Sequence, residues 1–107
     1  MTPTQAIADL DRELAAFGED VTLRPPGGAP FTVRGQVVGY RPEEIIPGSI
    51  VQAGDRRVTI SPTGVPAGLT INPQFKAVIG GVERQVRAAP AVRLAGQVVR
   101  YNLVVAG

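Results

Sequence analysis

The apolar residues at the beginning of the chain recur with a helical period. Between residues 4 and 17, Ile7, Leu10, Leu14 and Phe17 follow one another at spacings of three and four residues. Side chains at this spacing lie on one stripe of an α-helix. The pattern therefore predicts one amphipathic helix whose apolar stripe, Phe17 included, faces a core.

The residues at both ends of this stretch are of the kinds that begin and end helices. Thr2 is followed by Pro3, and Gln5 lies three positions after Thr2. This arrangement is typical of a capping box with proline at the first helical position. Gly18 lies at the other end, where a residue in the left-handed conformation often terminates a helix. These signals predict a helix over residues 3–17.

After Gly18 the period changes to two residues, which is typical of β-strands. The apolar members of the alternating stretches are Val21 and Leu23; Phe31, Val33 and Val37; Val58 and Ile60; and Val99, Tyr101, Leu103 and Val105. Gly80 and Gly81 separate two further strand-like stretches, and such a pair favours a two-residue hairpin turn. Another turn is predicted at residues 53–55, joining a strand at 49–52 to the one that follows.

Together these signals predict a mainly β fold: a small β-barrel or sandwich of about six short strands with one N-terminal amphipathic helix. Closing the sheet would remove its exposed edges. An open sheet with the helix on one face is the alternative. The length of 107 residues fits a single domain, with the helix at 3–17 and the β domain at 20–106.

Two long loops are expected, near residues 41–50 and 62–73, where several prolines interrupt the alternation. Long loops in small domains are often functional, and Ile45 and Ile46 place two apolar side chains on the first of them. We interpret this pair as buried by a partner; packing under the protein's own sheet is the alternative. The residues predicted to form partner or ring-interface loops are Arg41, Glu43, Glu44, Ile45, Ile46, Leu69 and Ile71.

The composition excludes most catalytic chemistry. The sequence contains no Cys and no His, so it lacks thiolate nucleophiles, imidazole bases and the commonest zinc ligands. Neither a phosphate-binding glycine loop nor a calcium loop is visible. We therefore predict no catalytic residue, no metal site and no cofactor, and we do not expect an enzyme. We also expect no membrane-spanning segment, because no apolar run approaches about 20 residues, and no signal peptide.

The charges are distributed unevenly along the chain. Residues 1–53 contain 4 Arg and 7 Asp or Glu, a net −3, whereas residues 54–107 contain 7 Arg or Lys and 2 Asp or Glu, a net +5. Such segregation is compatible with identical subunits that dock acidic side on basic side; scattered surface charge is the alternative. The predicted charge-pairing surface consists of Asp9, Glu13, Asp55, Arg56, Arg57, Arg84 and Arg87.

Several stretches taken in order resemble a known family. They are FGEDVTLR at residues 17–24, GQVVGY at 35–40, IVQAGDRRVTI at 50–60 and VRYNLVV at 99–105. In this order the chain resembles the small head–tail connector proteins of tailed bacteriophages, in particular the head-closure or stopper group, with relatives in prophages and gene transfer particles. The chain departs from the family pattern after Gly80 and Gly81, where an aromatic residue is missing. Stopper, adaptor and tail-terminator roles therefore all stay open.

The resemblance implies a β-barrel-like domain with an appended helix that joins the DNA-filled head to the tail and closes the portal channel. The implied partners are further copies of the chain in a six- or twelve-fold ring, a portal-side adaptor, a tail terminator or tail tube protein, and packaged DNA contacted without sequence specificity. The implied location is the neck of a virion or gene transfer particle, after synthesis in the bacterial cytoplasm. A barrel that binds single-stranded nucleic acid on aromatic side chains is the alternative.

Overall fold

The computed structural model describes residues 1–45, 51, 54–66 and 68–107. Helix α1 spans Pro3–Phe17, which confirms the predicted range. The capping box is also confirmed, because the Gln5 amide donates to the Thr2 hydroxyl (3.2 Å) and the Thr2 amide donates to the Gln5 side chain (2.9 Å). Leu10 and Leu14 are the buried residues of the helix.

Two expectations for the end of α1 were wrong. Phe17 is 77% exposed, whereas the side chain of Arg34 reaches this end of the helix and donates to the carbonyls of Leu14 and Gly18. Gly18 is extended (φ −85°, ψ 178°) rather than left-handed, and its amide still donates to the Leu14 carbonyl. An extended residue is required here because strand β1 begins at Glu19 with no intervening loop.

Seven strands follow the helix in the part of the chain that the structure describes. Their bounds are β1 Glu19–Arg24, β2 Phe31–Gly39, β3 Arg56–Ile60, β4 Lys76–Ile79, β5 Val82–Ala88, β6 Ala91–Leu94 and β7 Gln97–Val105. Two short 3-10 turns, Pro42–Glu44 and Pro62–Gly64, lie in the two predicted loop regions. The turn at Gly80 and Gly81 is confirmed between β4 and β5. Both glycines have positive φ (58° and 80°), as a tight hairpin of this twist requires.

Six of the strands close into an antiparallel barrel in the order β3-β2-β1-β4-β5-β7, and β7 pairs back with β3. The closure depends on the length of β7, whose last residues pair with β3 on one side and with β5 on the other. The fold is mainly β, with 44 of the 99 described residues in strands. The predicted fold class is confirmed, and the closed sheet replaces the open-sheet alternative.

The seventh strand, β6, was not among the predicted strands. It pairs only with the first half of β7 among the residues described and forms a hairpin through Ala95 and Gly96, both with positive φ. Ala95 is a weak turn signal because residues with a Cβ disfavour this conformation. Only residue 51 of the predicted strand at 49–52 is described. Of the turn predicted at 53–55, Gly54 and Asp55 are described, and Gly54 has a positive φ (89°).

The core lies inside the barrel. Its buried members are Val21, Leu23, Val33, Val58, Ile60, Ile71, Phe75, Ala77, Ile79, Val86, Leu103 and Val105. Ile71, predicted to face a partner, is therefore a core residue, and that placement was wrong. The chain after Pro62–Gly64 returns to the barrel before β4, so that Leu69 also packs against the core.

Candidate interaction site

The described part of the chain contains no group of three His, Cys, Asp or Glu residues placed to hold a metal ion. None of the helices described is long and apolar enough to cross a membrane. The chemically distinctive features are instead charged and amide side chains on the outer wall of the barrel, around α1 and the loop after β2.

The segment after β2 is linked to β3 by Glu44. Glu44 accepts a hydrogen bond from the Arg41 amide (3.0 Å), and its other carboxylate oxygen lies 3.9 Å from Nη1 of Arg57. Arg41, Glu43 and Glu44 are exposed, and Ile45 is half-buried. Ile46, the second apolar residue predicted to meet a partner, lies outside the described residues.

Tyr40 immediately precedes this segment, and burial raises the pKa of its phenol. The positive charge of Arg57 acts against this by lowering the pKa. The carboxylates of Glu44 and Asp55 add to the increase. Burial remains the largest cause, so the neutral phenol is the favoured form at this position.

Asp55 does not belong to an exposed charge-pairing surface, and that part of the prediction was wrong. Its side chain is 2% exposed, and its Oδ2 atom lies 3.0 Å from Nε of Arg87. Its Oδ1 atom accepts from the amide of Gly107 (3.4 Å). Asp55 is held inside because it directly precedes β3, beside the end of β7. It therefore joins strand ends within one chain.

The other six residues of the predicted charge-pairing surface are distributed over three elements. Asp9 and Glu13 are exposed on α1, where Asp9 pairs with Arg12. Arg56 and Arg57 lie on β3, and Arg84 and Arg87 on β5. Among these residues, the structure brings Glu13 and Arg57 into one cleft.

This cleft, named here the α1 cleft, lies between the helix and the outer wall formed by β2, β3 and β7. Its volume is about 240 Å³, and it is lined by Leu10, Glu13, Gln36, Arg57, Thr59, Arg100 and Asn102. Three of these residues form a row across adjacent strands, because Gln36 pairs in register with Thr59 and Thr59 pairs with Asn102. Thr59 donates to the side-chain oxygen of Asn102 (3.1 Å).

Sequence reasoning did not select Gln36, Arg100 or Asn102. Strand alternation places Arg100 and Asn102 on the face of β7 opposite the core, and that signal was available. Arg100 and Asn102 lie near Gln36 only because β7 pairs with β3. This pairing brings together residues more than 40 positions apart in the sequence. No local pattern encodes that contact.

Two residues outside the helix, Arg34 and Thr63, hold α1 against the barrel by polar contacts. Arg34 of β2 donates to the carbonyls of Leu14 and Gly18 and pairs with Asp20 (3.2 Å). A cation at this end of a helix also compensates the helix dipole. Farther along the helix, the Thr63 hydroxyl donates to Asp11 (2.7 Å).

Comparison of the chain with protein-family models, with curated proteins and with solved structures found no match.

Proposed function

We propose that the protein is a structural component of the neck of a tailed phage or gene transfer particle, where it joins the DNA-filled head to the tail and closes the portal channel. In this role it assembles as a ring between a portal-side adaptor and a tail terminator or tail tube protein. The proposal assigns it mechanical contacts with partners and with DNA, and no catalytic step.

The observation that carries the proposal is where the four resembling stretches lie in the fold. The stretch at 35–40 contains the part of β2 that pairs with β3, the stretch at 50–60 ends in β3, and that at 99–105 contains the part of β7 that closes the barrel. The stretch at 17–24 joins α1 to β1. The resembling residues are therefore those that build a barrel with an appended helix, which is the architecture that the resemblance implies.

Exposed apolar and charged residues on the described surface also support the proposal. Phe17, Val82 and Val92 are exposed apolar residues on three different elements, and Arg41 and Glu43 are exposed beside β2. A ring of identical subunits uses two different surfaces of each copy. Apolar residues on separate elements suit such contacts.

The aromatic residues do not favour the nucleic-acid-binding alternative. Phe75 is buried, Phe31, Tyr40 and Tyr101 are half-buried, and Phe17 alone is exposed. Binding of successive bases by stacking uses several accessible rings. The adaptor and tail-terminator roles remain alternatives within the proposal.

Deletion of the gene in a strain that produces the particles tests the proposal. We expect DNA-filled heads and separate tails in electron micrographs, and restoration of joined particles by a plasmid copy of the gene. Cryo-electron microscopy of the restored particles should place the barrel in a ring at the neck. Normal tailed particles from the deletion strain would contradict the proposal.

A further inference from the structure

The α1 cleft has the donors of an anion site. Arg57 and Arg100 lie on opposite sides of the row formed by Gln36, Thr59 and Asn102, because β3 and β7 run antiparallel and each arginine is two residues from the row on its own strand. Alternate residues of a strand share a face. Arg57, Arg100 and the three residues of the row therefore line the same cleft.

Several of these donors have no partner within the described residues. The side chain of Arg100 makes neither a hydrogen bond nor an ion pair with any of them, and the same holds for the side chain of Gln36. Arg57 has a long ion pair, 3.9 Å from Glu44. Because Asn102 accepts from Thr59 through its side-chain oxygen, its NH₂ group is left to donate.

The arrangement of the donors favours a tetrahedral anion. A carboxylate is planar and is best bound by one fork of two parallel donors. Here one arginine lies on each side of the row and the amides lie between them, so the donors approach the cleft from several directions. Phosphate oxygens accept hydrogen bonds in several directions, and arginine and amide side chains are common donors to them.

Glu13 is the one acidic residue among the described residues that line the cleft. It is exposed on α1, and it forms no ion pair with the cleft arginines. Its negative charge opposes the entry of an anion, so its removal is expected to strengthen binding.

We propose that the α1 cleft binds a phosphate group, held by Arg57 and Arg100 with the amides of Gln36 and Asn102. The group comes either from the free phosphate ion or from a nucleic acid backbone. The inference does not rest on the proposed neck function, because it concerns the purified chain and requires no assembly.

Titration of ¹⁵N-labelled protein with sodium phosphate at constant ionic strength tests the proposal. We expect saturable shifts of the side-chain signals of Arg57, Arg100, Gln36 and Asn102 in NMR spectra. Arg100→Gln should weaken binding about tenfold, the effect of losing one charge-assisted contact. Glu13→Gln should tighten binding, which also separates a site effect from misfolding because the residue is exposed.

Arg93→Gln is the matched control, since Arg93 is an exposed arginine on β6 outside the cleft, and phosphate affinity should not change. Titration with a single-stranded oligonucleotide distinguishes the two sources. Arg100-dependent binding of the oligonucleotide assigns the site to a nucleic acid backbone, and binding of the ion alone assigns it to free phosphate. The absence of saturable shifts in the cleft, or equal affinity of the wild type and Arg100→Gln, would overturn the proposal.

Discussion

At the scale of single residues, Gly35 of β2 lies where the core leaves little space for any side chain. A Cβ at this position would lie 3.1 Å from Val21 Cγ2 and 3.2 Å from methyl groups of Ile60 and Val58. Contacts of this kind leave no room for a larger side chain inside the sheet. Glycine at this position is therefore a requirement of core packing.

We predict that Gly35→Val lowers the free energy of unfolding by about 1–3 kcal/mol, the usual cost of overpacking a core. Gly39→Val is the matched control, because Gly39 is in the same strand and a Cβ there would meet no atom within 4 Å. Urea unfolding of both variants measures the difference. Equal stability of the two variants would show that Gly35 does not limit the core.

Asp55 is a second residue with a large predicted effect. Asp55→Ala leaves Arg87, which is 32% exposed, without its carboxylate. We expect the free energy of unfolding to fall by about 3 kcal/mol. This value is at the low end for the loss of one partner of a buried ion pair, because Arg87 is partly exposed to solvent. The control is Arg24→Ala, which removes an exposed pair with Glu83 and should cost less than about 1 kcal/mol. A similar cost for both variants would contradict the structural role of Asp55.

Tyr40 gives a prediction about pH. Burial raises the pKa of its phenol, so the midpoint of its ionisation should lie above the ordinary value of about 10. The absorbance titration of the wild type minus that of Tyr40→Phe isolates this midpoint. Because the pKa of Tyr40 is higher in the folded protein than in the unfolded chain, the neutral phenol contributes to the free energy of unfolding. This contribution is fully present below a pH of about 10 and is lost as the pH rises through the folded pKa.

Arg57→Ala provides the control for Tyr40, because Arg57 lowers the pKa of the phenol. Its removal should move the midpoint further upward. A midpoint in the wild type at or below the ordinary value would contradict the effect of partial burial on Tyr40.

At the scale of elements, α1 is an addition to the barrel. No residue of the helix belongs to the core cluster, and its own buried residues are Leu10 and Leu14. The polar contacts of Arg34 and Thr63 therefore contribute much of what orients the helix on the barrel. Such an element can open locally without unfolding of the sheet.

We predict that Arg34→Ala increases hydrogen exchange of the amides in α1 about tenfold, as expected for the loss of a charge-assisted hydrogen bond. Exchange of the amides in β3 and β7 should stay unchanged. Arg12→Ala is the control, since Arg12 is exposed on the helix and pairs with Asp9, its single ion-pair partner among the described residues. Equal acceleration in the barrel strands would show that helix and barrel open together.

At the scale of the whole molecule, Phe17 is the most exposed large apolar side chain after Met1 among the residues that the structure describes. Within the proposed neck role we predict that Phe17→Ser reduces the yield of tailed particles but changes the free energy of unfolding by less than about 0.5 kcal/mol, since an exposed residue contributes little to stability. Phe17→Tyr retains the ring and should preserve the yield. Complementation of the deletion strain, with particles counted by electron microscopy, compares the two variants.

Wild-type yield from Phe17→Ser would remove Phe17 from the set of interface residues. It would leave the neck role itself to be tested by the gene deletion.

Sequence reasoning succeeded where the determining contacts are local. The capping box of α1 spans four residues, the Gly80–Gly81 turn spans two, and the inward faces of β1, β3 and β7 follow from alternation within each strand. It failed for Phe17, whose burial depends on what lies beyond the end of the helix, and for Ile71, which returns to a core assembled from distant strands.

The sequence by itself determined the helix, most of the strands, their apolar faces and the mainly β class, because propensity, capping and alternation act over a few residues. The tertiary structure alone decided the closure of the barrel, the burial of Asp55 against Arg87, and the α1 cleft. Each of these depends on the pairing of β3 with β7, which brings together residues more than 40 positions apart. Contacts at that separation are fixed by the packing of the whole chain.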